Sequence, residues 1–209
     1  LISKYKNITF FSGYDCDSLA LENITGFASH ILPLFRDNPL ALLEFRTKSI
    51  QIKPLDKITP IDNCIMAYSL MPDKMSLELD KKTPSIKRRI STIKKLSEMG
   101  WKIGLRFDPL IYGKNWKDYY RELHEEIYSS LNLNTVHSIS YGPLRFPSAM
   151  YNKMFDLYPE EKLFTGPFEQ NNKVISYKKE VEEEMTDYCQ SISLKHLPKS
   201  IIFKCNYEN

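Results

Sequence analysis

Short runs of β-forming residues alternate with longer stretches of helical periodicity along nearly the whole chain. This alternation restricts the possible folds more than any other feature. The runs are Ile8-Thr9-Phe10-Phe11, Leu42-Leu43-Glu44-Phe45-Arg46-Thr47, Cys64-Ile65-Met66-Ala67-Tyr68-Ser69-Leu70, Lys102-Ile103-Gly104-Leu105-Arg106-Phe107, Val136-His137-Ser138-Ile139-Ser140-Tyr141 and Ile201-Ile202-Phe203-Lys204. Their bounded length and their β-branched and aromatic content mark strands. A helix is expected to open at Asp17-Ser18 and to carry Leu19, Leu21, Ile24, Phe27, Ile31 and Leu34 on its apolar side. Another starts at Thr83-Pro84, with threonine as N-cap and proline in the first turn, and Gly100 ends it. Its stripe is Ile86, Ile90, Ile93 and Leu96, opposite Lys87, Arg88, Lys94 and Lys95 on a solvated face. Further helices are expected from Trp116 to Leu131, Pro147 to Leu157 and Lys178 to Leu194, and residues 166–176 read as a hairpin or irregular excursion. Strand–helix–strand repetition predicts βαβ units around a parallel sheet, an α/β fold forming either part of a barrel or an open sheet.

With 209 residues the chain is expected to be one domain, 1–209. A net charge of +3 is too balanced to announce a nucleic-acid binder by itself. No apolar run reaches the roughly 18–20 residues of a membrane span, so no membrane partner is expected. Cys16, Cys64, Cys189 and Cys205 form no Cys-x-x-Cys pair, and the four histidines have no ligand spacing, so no metal site is expected within the chain. Scattered cysteines without a signal peptide fit a reducing, cytoplasmic setting. A first residue of leucine suggests a fragment of something longer.

In parallel α/β sheets the chemistry gathers at the C-terminal strand ends. Those ends carry Tyr14-Asp15-Cys16-Asp17, Arg46-Thr47-Lys48, Ser69, Arg106-Phe107-Asp108, Gly142-Pro143-Leu144-Arg145 and Lys204-Cys205. Arg46, Lys48, Arg106, Arg145 and Lys204 are expected to converge on one mouth, facing Asp15, Asp17 and Asp108, and to suit an anionic or zwitterionic ligand.

These segments also resemble a known family. Asp15-Cys16-Asp17-Ser18-Leu19-Ala20-Leu21-Glu22 with Ile24-Thr25-Gly26, Glu44-Phe45-Arg46-Thr47-Lys48-Ser49 and Tyr68-Ser69-Leu70-Met71-Pro72 resemble, in order, segments of spore photoproduct lyase-like radical S-adenosylmethionine (AdoMet) proteins. Phe107-Asp108-Pro109-Leu110-Ile111 with Gly113, Trp116 and Tyr119-Tyr120, then Tyr141-Gly142-Pro143-Leu144-Arg145-Phe146-Pro147 and Phe203-Lys204-Cys205-Asn206, continue the match. The resemblance implies a partial (β/α)6 radical-AdoMet barrel whose N-terminal strand or strands are missing from this chain. It implies AdoMet and a 4Fe-4S cluster as cofactors, hydrogen-atom abstraction as the chemistry, and repair of a thymine-dimer lesion in DNA as a possible reaction. The family's cluster-binding Cys-x-x-x-Cys-x-x-Cys loop is absent here, so this chain alone is expected to be inactive. Tyr14 stands where the family has a hydrogen-donating cysteine, with Cys16 two residues on. Met71 replaces an asparagine, and the arginine-rich C-terminal hairpin of the lyase gives way to a segment with few basic residues.

The resemblance casts Tyr14 and Cys16 as catalytic, Lys48 and Ser69 as AdoMet-binding, and Asp17, Arg106, Asp108 and Arg145 as substrate-binding. Each has a plainer reading. Cys16 as a buried hydrophobe, Asp17 as a helix cap, Lys48 as a solvated cation, Asp108 as a turn former and Arg145 in a structural ion pair all fit the residue types. Two other functions stay open: a non-enzymatic nucleic-acid-binding remnant, and an iron-free α/β-barrel enzyme with an anionic substrate. Loss of N-terminal strands would expose apolar edges, so the missing segment or a second copy is an expected partner.

Overall fold

A computed structural model describes residues 8–13 and 16–205. The chain runs through β1 (Ile8–Ser12), α1 (Glu22–Thr25), α2 (Phe27–Arg36), β2 (Ala41–Thr47), β3 (Cys64–Ser69), α3 (Asp73–Leu79), α4 (Ile86–Glu98), β4 (Lys102–Leu110) and α5 (Trp116–Ser130). It continues through β5 (Val136–Pro143), β6 (Arg145–Pro147), α6 (Ser148–Leu157), β7 (Phe168–Asn171), β8 (Val174–Tyr177), α7 (Lys179–Ser193) and β9 (Ile202–Lys204). Strands β1, β2, β3, β4, β5 and β9 lie side by side in that order, every pair parallel. They form a curled, six-stranded half-barrel, as the alternation of strand and helix patterns predicts.

Strand side chains alternate between two faces, and here the faces differ in chemistry. Leu43, Phe45, Met66, Tyr68, Ile103, Leu105, Phe107, Ile139 and Tyr141 are buried in the apolar core with residues of the helices, among them Ile86, Ile90, Ile93, Leu123, Ile127, Met185 and Cys189. One polar network is sunk in this layer. Nδ1 of His124 lies 2.6 Å from the Tyr120 carbonyl and Nε2 lies 2.8 Å from the Tyr141 hydroxyl, which meets Ser193 Oγ at 2.5 Å. Tyr128 reaches the same serine. The opposite, inner face is polar, and Glu44, Arg46, Arg106 and Ser138 meet on it.

Several local expectations are corrected. The helix expected from Asp17 to Leu34 is broken at Gly26, whose φ of 59° caps α1 and opens α2. The break resets the helical phase. Leu19, Ala28, Leu32 and Phe35 are buried, whereas Leu21, Ile24 and Leu34 are exposed. The α4 cap is Ser85, which accepts from the Arg88 amide, rather than Thr83, which donates instead to the Asp80 carbonyl at 2.7 Å. Helix α3 follows β3 with no expected counterpart. Residues 166–176 contain the hairpin β7–β8, which joins β6 in a second, antiparallel sheet ordered β6-β8-β7. Among the described residues no helix is long and apolar enough to cross a membrane.

Candidate active site

The inner face of the half-barrel has a salt-bridged floor. Glu44 on β2 receives Arg106 Nε at 3.1 Å and Nη2 at 2.8 Å, and Arg46 Nε at 2.8 Å. Arg106 also donates to the Ser138 carbonyl and hydroxyl and to the Leu105 carbonyl. All of its N–H groups are thereby used within the sheet. This departs from the expected substrate contact: the guanidinium clamps β2 to β4 and β5 and has no donor left for a ligand. Burial by itself would raise the Glu44 pKa, but the hydrogen bonds and charge of Arg106 and Arg46 more than offset it and hold the carboxylate below its usual range. Arg46, a third exposed, lies 4.7 Å above the Phe11 ring.

Higher up, at the strand ends, Asp17 faces its own chain. One oxygen accepts from the Thr47 hydroxyl at 2.7 Å and the Leu19 amide at 2.9 Å, and the other from the Lys48 amide at 2.7 Å. It therefore pins the loop after β1 onto the end of β2, as a capping carboxylate does. Lys48 Nζ sits 2.5 Å from Asp80 Oδ1, with its side chain about a third exposed. The other Asp80 oxygen accepts from Arg89 at 2.9 Å. Arg89 is wholly buried and also donates to the Pro84 carbonyl, the Thr83 hydroxyl and the Ser69 carbonyl. Sequence reasoning missed Arg89 and Asp80. Arg89 stands three residues after Ile86 and four before Ile93, so its place on the buried stripe was legible in the spacing.

At the end of β4, Asp108 and Arg145 form a two-pronged pair at 3.2 and 3.1 Å, each side chain about a quarter exposed. A Cβ on Gly142 would stand 2.8 Å from both the Asp108 carboxyl and Arg145 Nη1, so this close approach requires glycine. Arg145 of this pair lines a cavity of about 830 Å³ between the strand ends, the β7–β8 hairpin and α7. Cys205, to which sequence reasoning gives no role, closes one side of it, and burial and the nearby Asp108 carboxylate push its thiol pKa up. Lys204 borders the cavity too, but Asp187 on α7 holds its ammonium at 2.5 Å. Arg46, Lys48, Arg145 and Lys204 are thus all partly exposed strand-end cations, each beside a carboxylate. Cys16 is exposed in the loop after β1. Tyr14 and Asp15 lie outside the described residues. Among the described residues no three His, Cys, Asp or Glu side chains could together hold a metal ion.

Comparison with known proteins identifies the fold and the family. A family model for spore photoproduct lyase matches residues 3–203. Spore photoproduct lyase of Clostridium acetobutylicum is 24% identical over 160 residues, covering 75% of this chain and 47% of the relative. That of Bacillus subtilis is 22% identical over 149 residues, covering 70% and 44%. The chain thus spans about half the length of the curated relatives it matches. Among solved structures, a mutant spore photoproduct lyase with bound AdoMet and dinucleoside spore photoproduct superposes with a TM-score of 0.83 at 15% identity, over 99% of this chain and 64% of that one. Another, complexed with dinucleoside spore photoproduct, gives 0.82 at 16% identity over 97% and 62%. The strand order matches theirs in fold, and the family model covers nearly the whole length: the chain belongs to the spore photoproduct lyase family.

Proposed function

We propose that this chain forms the AdoMet- and substrate-facing half of an enzyme that acts, like spore photoproduct lyase, on a thymine-dimer lesion in DNA. The observation that carries the reading is the Lys48–Asp80–Arg89 cluster at the strand ends. Two cations share one carboxylate, which leaves one net positive charge beside the mouth. The partly exposed Lys48 ammonium is a compact cation suited to the AdoMet carboxylate. Ser69, on the neighbouring strand, offers a hydroxyl to the same end of the cofactor. The residues present thus fit AdoMet. They do not fit the iron–sulfur cluster, whose ligands have no counterpart among the described residues, and no step runs through it. AdoMet, held by Lys48 and Ser69, would supply the carbon that takes a hydrogen atom from the substrate once an electron donor outside the described residues had cleaved its sulfur–carbon bond. The chain's own residues orient. Lys48 and Ser69 hold the amino-acid end, and the Asp108–Arg145 pair presents an acceptor and a donor to the edge of a base. Cys16 offers an exposed S–H for hydrogen return, with Tyr14 two residues before it in sequence.

Lys48→Ala is expected to weaken AdoMet binding about tenfold or more, the worth of a hydrogen bond to a charged group. Equilibrium dialysis measures this directly. Asp80 keeps Arg89 in that variant, so the fold is expected to stay intact, with an unchanged circular dichroism spectrum as the check. Unchanged affinity would remove the role of Lys48. In protein that also carries a three-cysteine loop, reduced without oxygen, 5′-deoxyadenosine is the expected product, and a cluster-loaded protein that forms none would sink the radical reading.

A further inference from the structure

A second cavity, of about 550 Å³, opens just beyond the end of β4, three residues from Asp108. Helix α3, the 111–114 turn, Tyr119 of α5 and residues 161–167 enclose it. Its size falls in the roughly 300–1,000 Å³ span of small-ligand sites, room for a nucleotide but not for a duplex. Tyr112 lines it while remaining 38% exposed. The ring backs onto Trp116 and Tyr177, with centroids 6.3 and 6.0 Å away. The backbone beneath is fixed: the Tyr112 amide donates to the Tyr177 hydroxyl at 3.0 Å, and the Ile111 amide to the Tyr120 hydroxyl at 2.8 Å. Tyr112 is therefore a held platform whose orientation costs a ligand little to use.

The charge around this platform is equally specific. Lys74, Lys114 and Lys162 are exposed at the rim, and none makes an ion pair among the described residues. Lys74 instead lies 4.6 Å above the Tyr119 ring. Glu78 and Glu161 also line the cavity, leaving three ammonium groups against two carboxylates. An aromatic face ringed by lysines matches a flat base joined to phosphate, and stacking on such a face needs an unpaired base.

We propose that this groove binds a stretch of single-stranded DNA, with one base stacked on Tyr112 and flanking phosphates on Lys114 and Lys162. The inference takes its substrate class from the proposed function and its location from the groove alone. The second cavity thus lets the protein grip unpaired strand beside the mouth, independently of AdoMet.

Fluorescence anisotropy of fluorescein-labelled dT12 with the purified chain tests it. Tyr112→Leu is expected to weaken binding about tenfold, while Tyr112→Phe, which keeps the stacking face, stays within about twofold. Lys114→Gln with Lys162→Gln is expected to lower the slope of log Kd against log salt by about 1.4, that is about 0.7 per phosphate contact. Lys87→Gln with Lys94→Gln, on the outer face of α4, should change neither quantity. Equal binding of dT12 by the groove variants and the unaltered chain would overturn the proposal. So would equal groove-dependent binding of a duplex, or of dTMP at the affinity of dT12. Absence of any dT12 binding would overturn it as well, whereas AdoMet binding through Lys48 would stand on its own result.

Discussion

His124 shows how far a single buried group sets solution behaviour. It is stacked on Phe107 at 4.4 Å, fully enclosed, and has both ring nitrogens in hydrogen-bonding contact with Tyr120 and Tyr141. Burial holds its pKa down at about 4, against a usual value of 6.5. The folded state therefore favours the neutral ring, and the unfolded chain binds more protons between these values. The stabilisation is complete above about pH 6.5 and is lost as pH falls towards 4, up to ~3 kcal/mol at the limit. The urea midpoint is expected to drop between pH 7.5 and pH 5, and His124→Gln should flatten that dependence. An equally steep dependence in the variant would assign the effect to other groups. At this scale the sequence is most ambiguous about charge. Arg88 and Arg89 are neighbours in sequence, yet one is exposed and the other wholly buried. Likewise Arg106 and Arg145 both follow strand cores, but only Arg145 reaches the cavity, because Glu44 on the neighbouring strand captures Arg106. Partners 62 and 37 positions away decide these fates, and local spacing carries no trace of them.

Among elements, α4 is fastened to the end of β3 by Arg89 as well as by its apolar stripe. Removing one partner of a buried ion pair leaves the other uncompensated, at about 3–5 kcal/mol. Arg89→Met is expected to lose stability near the lower end of that range, since Lys48 still neutralises Asp80. Chemical denaturation should show this as a lowered midpoint at unchanged slope, and a variant as stable as the parent would refute the anchoring role. The strand runs and the helices α4, α5, α6 and α7 were legible because each keeps a single period over many residues. The broken helix at α1–α2 was misread because Gly26 shifts the phase between two stretches that read as one. Helix α3 was missed because its seven residues span too little to show a period, and the β7–β8 hairpin stayed undecided because its outer strand is polar after Phe168.

On the scale of the whole molecule, the half-barrel has two edges among the described residues, β1 and the three-residue β9. Phe11 on β1 and Leu21, Ile24, Leu34 and Leu40 in the segment between β1 and β2 are all exposed. An unpaired edge flanked by exposed apolar side chains invites pairing. The isolated chain is expected to self-associate with rising concentration in light scattering, and Ile24→Lys with Leu34→Lys should suppress this. A monomer at high concentration would contradict the expectation. The second sheet carries a different consequence. Arg145 begins β6 and pairs with Ser176 on β8, while its side chain is clasped by Asp108 at the tip of β4. The hairpin and the cavity wall are therefore one lever. A molecule leaning on the turn at 171–174 would tilt β6, loosen or tighten the Asp108–Arg145 clasp, and so turn pressure at the rim into a change of grip at the mouth.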